Sequence, residues 1–138
     1  MAYADLREKS RYLHEVTKGV AREIREDEIT NAEEYADTII DGKLGKSWTA
    51  PNVPKLIEKI ADMLGSAKAW EFIQSGQAPV AGSFAGAIKA EGMSLLQMIY
   101  DGELGLKLPG GGFDEDYPGA SAQIGTQPDA IGTIEIII

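Results

Sequence analysis

The chain is 138 residues long, 43% hydrophobic, free of cysteine, and carries a formal charge of −9 from 13 bases against 22 acids. That length fits one domain and that apolar share supports a packed core. The absence of cysteine removes disulfides, zinc–thiolate sites and thiol nucleophiles, and the acidic balance speaks against a surface built to neutralise phosphate or to bind anionic membranes.

No apolar run reaches the roughly 18 residues that a membrane helix needs. The N-terminus, Met1-Ala-Tyr-Ala-Asp-Leu-Arg-Glu-Lys9, reaches alternating charge at once, so no signal-peptide core is expected. The chain changes character near Leu104. Residues 1–104 hold 17 acids and 12 bases with helical periodicity, whereas residues 105–138 hold 5 acids, one base, 7 glycines and 3 prolines, too many punctuators for a helix. The pattern predicts a mainly α fold. A small bundle of about four helices forms the body, residues 1–104, and an extended C-terminal tail with short β-prone segments follows, residues 105–138.

The first helix is expected to start near Ala4, with Asp5 and Glu8 at its positive end and Leu6 and Leu13 on its apolar side. Val16, Val20 and Ile24 continue a helical stripe that Gly19 weakens. A second helix is expected over residues 31–44. Thr30 and Glu33 have the spacing of a capping box, Ala32, Ala36, Ile39, Ile40 and Leu44 form its stripe, and Gly45 is placed for a C-terminal cap.

Pro54 suits the first turn of a third helix. Val53, Leu56, Ile57, Ile60, Ala61, Leu64, Ala67 and Ile73 make this the strongest amphipathic segment, and Gly76 is expected to end it. A fourth helix over residues 84–101 buries Ile88, Leu95, Leu96, Met98 and Ile99. Gly92 in its interior marks a close contact, and Gly102 is a stop. In the tail, Leu104, Leu106 and Leu108 alternate as a half-buried strand does. Pro109-Gly-Gly-Gly112 reads as a flexible hinge. The last segment, Ile131-Gly-Thr-Ile-Glu-Ile-Ile-Ile138, is β-branched and must be paired with this chain or another to be stable in water.

Candidate chemistry is sparse. The lone histidine, His14, reads as a solvated surface residue. Gly45-Lys46-Ser47 has the end of a phosphate-binding loop but lacks the earlier glycine, since Ile40 stands there inside a helix. Asp114-Glu115-Asp116 with Asp129 and Glu135 lacks the alternating spacing of a calcium loop and reads as a solvated acidic loop. Trp70 reads as core. For Trp48, core and interface anchor stand level. No catalytic, metal-binding or cofactor-binding residue is expected, and nothing in the arrangement supports an enzyme.

Three segments, taken in order, resemble a known family. They are Asp27-Glu-Ile-Thr-Asn-Ala-Glu-Glu-Tyr-Ala-Asp-Thr-Ile-Ile-Asp-Gly-Lys-Leu44, Val53-Pro54-Lys-Leu-Ile-Glu-Lys-Ile-Ala-Asp-Met-Leu64 and Glu91-Gly-Met-Ser-Leu-Leu-Gln-Met-Ile-Tyr-Asp-Gly-Glu-Leu104. They are similar to the small head–tail connector, or head-completion, proteins of tailed bacteriophages, including the Mu-like prophage group. Tyr3-Ala4-Asp5-Leu6 approximates the usual opening of that pattern.

The resemblance implies a non-enzymatic virion subunit that forms a ring, usually twelvefold, beneath the portal. It lies at the neck of the particle and is assembled in the host cytoplasm. Its partners would be the portal protein, neck, stopper or tail proteins, and copies of itself. DNA would pass through the channel without specific binding. The tail would supply the interface through Leu104, Leu106, Leu108, Phe113, Tyr117, Ile131, Ile134, Ile136, Ile137 and Ile138, with Trp48 as a possible further anchor. On this reading residues 105–138 order only in the assembly. The alternative is a small acidic regulator that mimics nucleic acid and inhibits a basic partner.

Overall fold

A computed structural model describes residues 2–7, 11–18, 22–74 and 83–119. Among these it has four helices: α1 Arg11–Val16, α2 Glu26–Leu44, α3 Lys55–Ile73 and α4 Phe84–Tyr100. The mainly helical class read from the sequence is the class observed. Helix α3 is the centre. It packs against α2, α4 and α1, while α2 and α4 touch each other much less.

Two apolar clusters hold the bundle. Ile40, Leu44, Val53, Ile57, Ile60, Leu64, Leu96 and Ile99 fill one. Leu6, Leu13, Val16, Ile29, Met63, Ala67 and Ile88 fill the other. Each fully buried Leu or Ile is worth roughly 1.5–3 kcal/mol in transfer free energy. The second cluster explains why α3 is buried on more sides than its amphipathic stripe predicts. Met63, Gly65, Ser66 and Ala69 are also buried, because α1 and the N-terminal residues cover a second face.

Helix α2 begins five residues before the expected Asn31, and the reason is electrostatic. Glu26, Asp27 and Glu28 occupy its first turn, where acids meet the positive end of the helix dipole. The Glu28 carboxylate accepts the Arg25 N–H at 3.0 Å and two Arg22 guanidinium N–H groups at 2.8 and 2.7 Å. The Arg22 bonds hold the Glu28 carboxyl down at about 2, against the opposing effect of its burial. Thr30 and Glu33 therefore lie inside α2 rather than capping it. Gly45 does end α2, in the left-handed conformation with φ 69°. Pro54 stands one place outside α3, as its N-cap.

The expected helix at Ala4 does not form. Residues 2–7 lie as an irregular strap along α2, and the expected capping-box residues hold it there. The Leu6 N–H donates to Glu33 Oε2 at 2.9 Å, and the Arg7 guanidinium donates to Thr30 Oγ1 at 2.7 Å. Leu6 closes the strap by packing over α3, where a Cβ on Gly65 would lie 3.0 Å from Leu6 Cδ1. Gly92 has the close contact expected of it. A Cβ there would meet Leu64 at 3.1 Å and Met63 Cβ at 3.3 Å, so α3 and α4 approach through a side chain that is absent.

The body does not end at Leu104. Leu106 is fully buried among Ile57, Ile60, Leu96 and Ile99, so residues 105–119 fold onto their own helices instead of waiting for an assembly. The supposed hinge is a closed turn. The Leu108 N–H donates to Gly112 O at 2.9 Å and the Gly111 N–H donates to Leu108 O at 3.0 Å. Among the described residues the strand pattern is reduced to one antiparallel bridge, Lys107 with Phe113.

Candidate functional site

The most connected polar site lies where the strap, the α2–α3 loop and the arm root (residues 104–119) meet. Its centre is Asp114, whose side chain is 5% exposed. Turning that carboxylate inward leaves it needing several donors, because a buried anion without them is expensive. It has them. Trp48 Nε1–H donates to it at 2.9 Å, Lys46 Nζ contacts both its oxygens at 3.0 and 3.1 Å, and the Asp116 and Tyr117 N–H groups donate to Oδ1 at 2.9 and 3.2 Å.

Burial pushes the Asp114 carboxyl up, but the Trp48 and Lys46 bonds outweigh it and leave it below its ordinary value. Lys46 is raised, first by its bond to Asp116 and also by Asp114. The Tyr117 hydroxyl donates to the Leu44 carbonyl at the end of α2. The loop between Gly45 and Pro54 thus clamps the arm root from both sides.

The same site reaches the strap. The Tyr3 hydroxyl donates to Asp41 Oδ1 at 2.6 Å and accepts the Trp48 N–H at 3.1 Å. Its ring meets Trp48 edge-on at 6.2 Å between centroids. Burial, then the Asp41 bond, raises the Tyr3 phenol. Asp37 and Glu33 complete a stripe of acids at i, i+4 and i+8 on α2, and the strap donates backbone N–H groups to it.

Asp37 is the strained member of this stripe. Burial pushes it up from 3.8 to about 6, Asp41 and Glu33 add to the rise, and the Tyr3 N–H opposes it. Because the folded value exceeds the unfolded one, the native state binds more protons between those values, and stability falls as pH rises through that window. Asp37→Asn keeps an acceptor for Tyr3 and removes the charge. It is expected to gain about 1–2 kcal/mol at pH 7 and almost nothing at pH 4. Urea unfolding at both pH values checks this.

The residues read as interface from the sequence divide. Leu106 faces the core and is closed to any outside partner in this conformation, a correction to its reading. Leu104 and Tyr117 are half-buried and pack on the first cluster, and Leu108 is half-buried. Phe113 stands out, 47% exposed. Trp48 is half-buried, with its indole N–H taken by Asp114. Ile131, Ile134, Ile136, Ile137 and Ile138 lie outside the described residues. Trp70 lies at the edge of the second cluster, and His14 is exposed on α1.

Two sequence readings change here. Asp114 is not a solvated acid, and Lys46 is not the remnant of a phosphate loop. They are each other's partners across 68 residues, a pairing that spacing does not reveal. Among the described residues no group of three or more His, Asp or Glu is placed to hold a metal ion. No helix among them is long and apolar enough to cross a membrane.

The described residues form a small helical body to which the arm root, residues 104–119, is clamped. Compared with known proteins, the chain matches no family model, no curated protein and no solved structure.

Proposed function

We propose that the protein is a structural subunit, a head–tail connector that forms a ring beneath the portal of a tailed phage particle and presents its C-terminal arm to a neighbouring protein. The observation that carries this reading is the clamp. Lys46, Trp48, Leu44 and the core around Leu106 fix the arm root to one end of a rigid helical wedge. The arm root up to Gly119 is therefore held at a fixed point on the body. A rigid wedge suits repeated packing in a ring, and a terminal Ile-rich segment suits strand addition to a neighbour. The ordered resemblance of three segments to the connector pattern supports the same reading.

The rival acidic mimic has less support, because Glu33, Asp37 and Asp41 bind the strap instead of facing a partner. The test is a pull-down of the tagged protein from a particle-producing culture, read by mass spectrometry, with and without residues 131–138. Portal and neck proteins are expected with the full chain and lost with the truncation. A single basic host protein, released steeply by salt, overturns the connector reading in favour of the mimic.

A further inference from the structure

Trp48 is held from two sides by its two N–H groups. The backbone N–H donates to the Tyr3 hydroxyl, 45 residues earlier in the chain, at 3.1 Å, and the indole Nε1–H donates to Asp114, 66 residues later, at 2.9 Å. One residue therefore joins the N-terminal strap to the arm root. The loop that carries it has little else to fix it. Of residues 45–52, six are exposed, and Lys46 and Trp48 alone are half-buried. Where the loop sits is decided by what holds those two residues.

The strap seats at two points. Tyr3 is buried in the first apolar cluster and Leu6 in the second. The Tyr3 ring meets Trp48 edge-on, and its hydroxyl gives its proton to Asp41 at 2.6 Å. That bond orients the oxygen so that a lone pair is left for the Trp48 N–H. Beside these anchors the strap is open. A cleft of about 500 Å³ lies between it and Glu58 and Asp62 of α3, and one of about 280 Å³ lies between Ala2 and Glu33 and Glu34 of α2. A segment on few anchors, with open space on both flanks, lifts at a lower free energy than the bundle beneath it unfolds.

We propose that Tyr3 latches the arm root: seated between Asp41 and Trp48, it holds the α2–α3 loop where the Trp48 indole grips Asp114, so that the N-terminal strap controls the C-terminal arm root. Unseating Tyr3 takes the acceptor from the Trp48 backbone N–H and uncovers the indole. Water then competes for both N–H groups. Asp114, with a side chain only 5% exposed, loses the donor that the loop had fixed in place, and a buried carboxylate does not keep its position without its donors. The Leu106–Tyr117 pairing beside it loosens next. Coupling of this kind is reciprocal, so loosening Asp114 also loosens the strap.

The latch is a property of the free protein. Only its consequence rests on the connector reading: the arm is presented from a fixed root for as long as residues 2–7 stay seated.

The test is a double-mutant cycle in the full chain, Tyr3→Phe with Asp114→Asn, read by urea unfolding. Tyr3→Phe keeps the ring in the cluster and removes the hydroxyl. The two changes are expected to be non-additive by at least about fivefold in the unfolding equilibrium constant, although the two residues meet only through Trp48. In a Trp48→Phe background, which keeps the backbone N–H and removes the indole N–H, the coupling is expected to fall to about twofold or less. Acrylamide quenching of Trp48 under native conditions, in a Trp70→Phe background, gives a second reading that needs no change at Asp114. It is expected to rise about twofold in Tyr3→Phe. It is expected to stay at the parent's value in Ala90→Gly, an exposed mid-helix change in α4 that lowers stability through helix propensity alone. Additive effects overturn the proposal, because Tyr3 then contributes to stability without reaching the arm root. Coupling that survives Trp48→Phe, or quenching that Tyr3→Phe leaves unchanged, overturns it as well. None of these outcomes bears on the pull-down, so the latch and the connector role fail separately.

Discussion

Replacing Gly105 with alanine is expected to destabilise the protein by about 3 kcal/mol. A Cβ at Gly105 would lie 2.3 Å from the Pro118 carbonyl oxygen and 2.8 Å from its carbon. Both are backbone atoms and neither can rotate away. The chain must open where the Leu106 N–H donates to the Tyr117 carbonyl at 2.8 Å and where the Asp114 backbone N–H donates back to the Leu106 carbonyl at 2.7 Å.

Opening these bonds loosens Leu106, a fully buried side chain whose exposure forfeits about 1.5–3 kcal/mol. Gly119 faces the same contact from the other side and adds a φ of 76°, a conformation that strains any larger residue. Gly110→Ala is the matched control, because a Cβ there meets nothing within 4 Å. It is expected to stay within about 0.5 kcal/mol of the parent. Urea unfolding of the three proteins checks this. Equal midpoints for the two variants would mean that the arm root does not belong to the folded body.

How much of this was legible in the sequence depends on the range of the interaction. The long helices were legible because their burial repeats every three to four residues. Ile57, Ile60, Leu64 and Ala67 announce α3, and Gly45 announces the end of α2. The start of α2 is not legible, because Thr30 and Glu33 have capping-box spacing inside the helix. A stronger cluster of acids, Glu26, Asp27 and Glu28, stands one turn earlier with Arg22 to pair it. Propensity offers Thr30 as a cap, but tertiary contact uses it to hold Arg7.

The arm root is hidden in the sequence for a different reason. Seven glycines and three prolines signal irregular backbone, and irregular backbone can be attached or free. Gly105 and Gly119 are there because two backbones touch, which composition cannot distinguish from flexibility. The clamp was invisible because Lys46 and Asp114 look like ordinary surface charges until the fold brings them together. One signal was available. Leu106 and Tyr117 are apolar or aromatic residues on either side of the glycine turn, a pattern consistent with a closed loop as well as with a docking arm.

The second large effect belongs to Asp114 itself. Asp114→Ala removes the acceptor for Trp48 Nε1–H, for Lys46 and for two backbone N–H groups. It leaves donors at the edge of the core without partners. The expected loss is about 3 kcal/mol, because breaking a buried charged network costs more than the net worth of its bonds. Asp114→Asn is expected to lose less. It still accepts from Asp116 and Tyr117, but its amide N–H₂ cannot also accept from both Trp48 and Lys46.

Lys46→Met is milder, about 1 kcal/mol, since the lysine is 24% exposed and Asp114 keeps three other donors. The double variant Lys46→Met with Asp114→Asn is then expected to lose less than the sum, with a coupling of about 1 kcal/mol. The pH dependence has a fixed sign. The Asp114 carboxyl lies below its ordinary value in the fold, so its contribution is complete at neutral pH and disappears only as pH falls through that lowered value.

Trp48 reports the event directly. In a Trp70→Phe background its emission is expected to shift to the red in Asp114→Ala at denaturant concentrations where the parent is unchanged, because its indole N–H has lost its buried partner. Coincident Trp48 and far-ultraviolet transitions in the parent would show that the clamp and the helices unfold as one unit. A Trp48 transition that precedes helix loss would mean that the arm root can be released from a body that remains folded. The connector proposal rests on a fixed arm root, so it expects the first outcome, and an arm root that releases before the helices unfold counts against it.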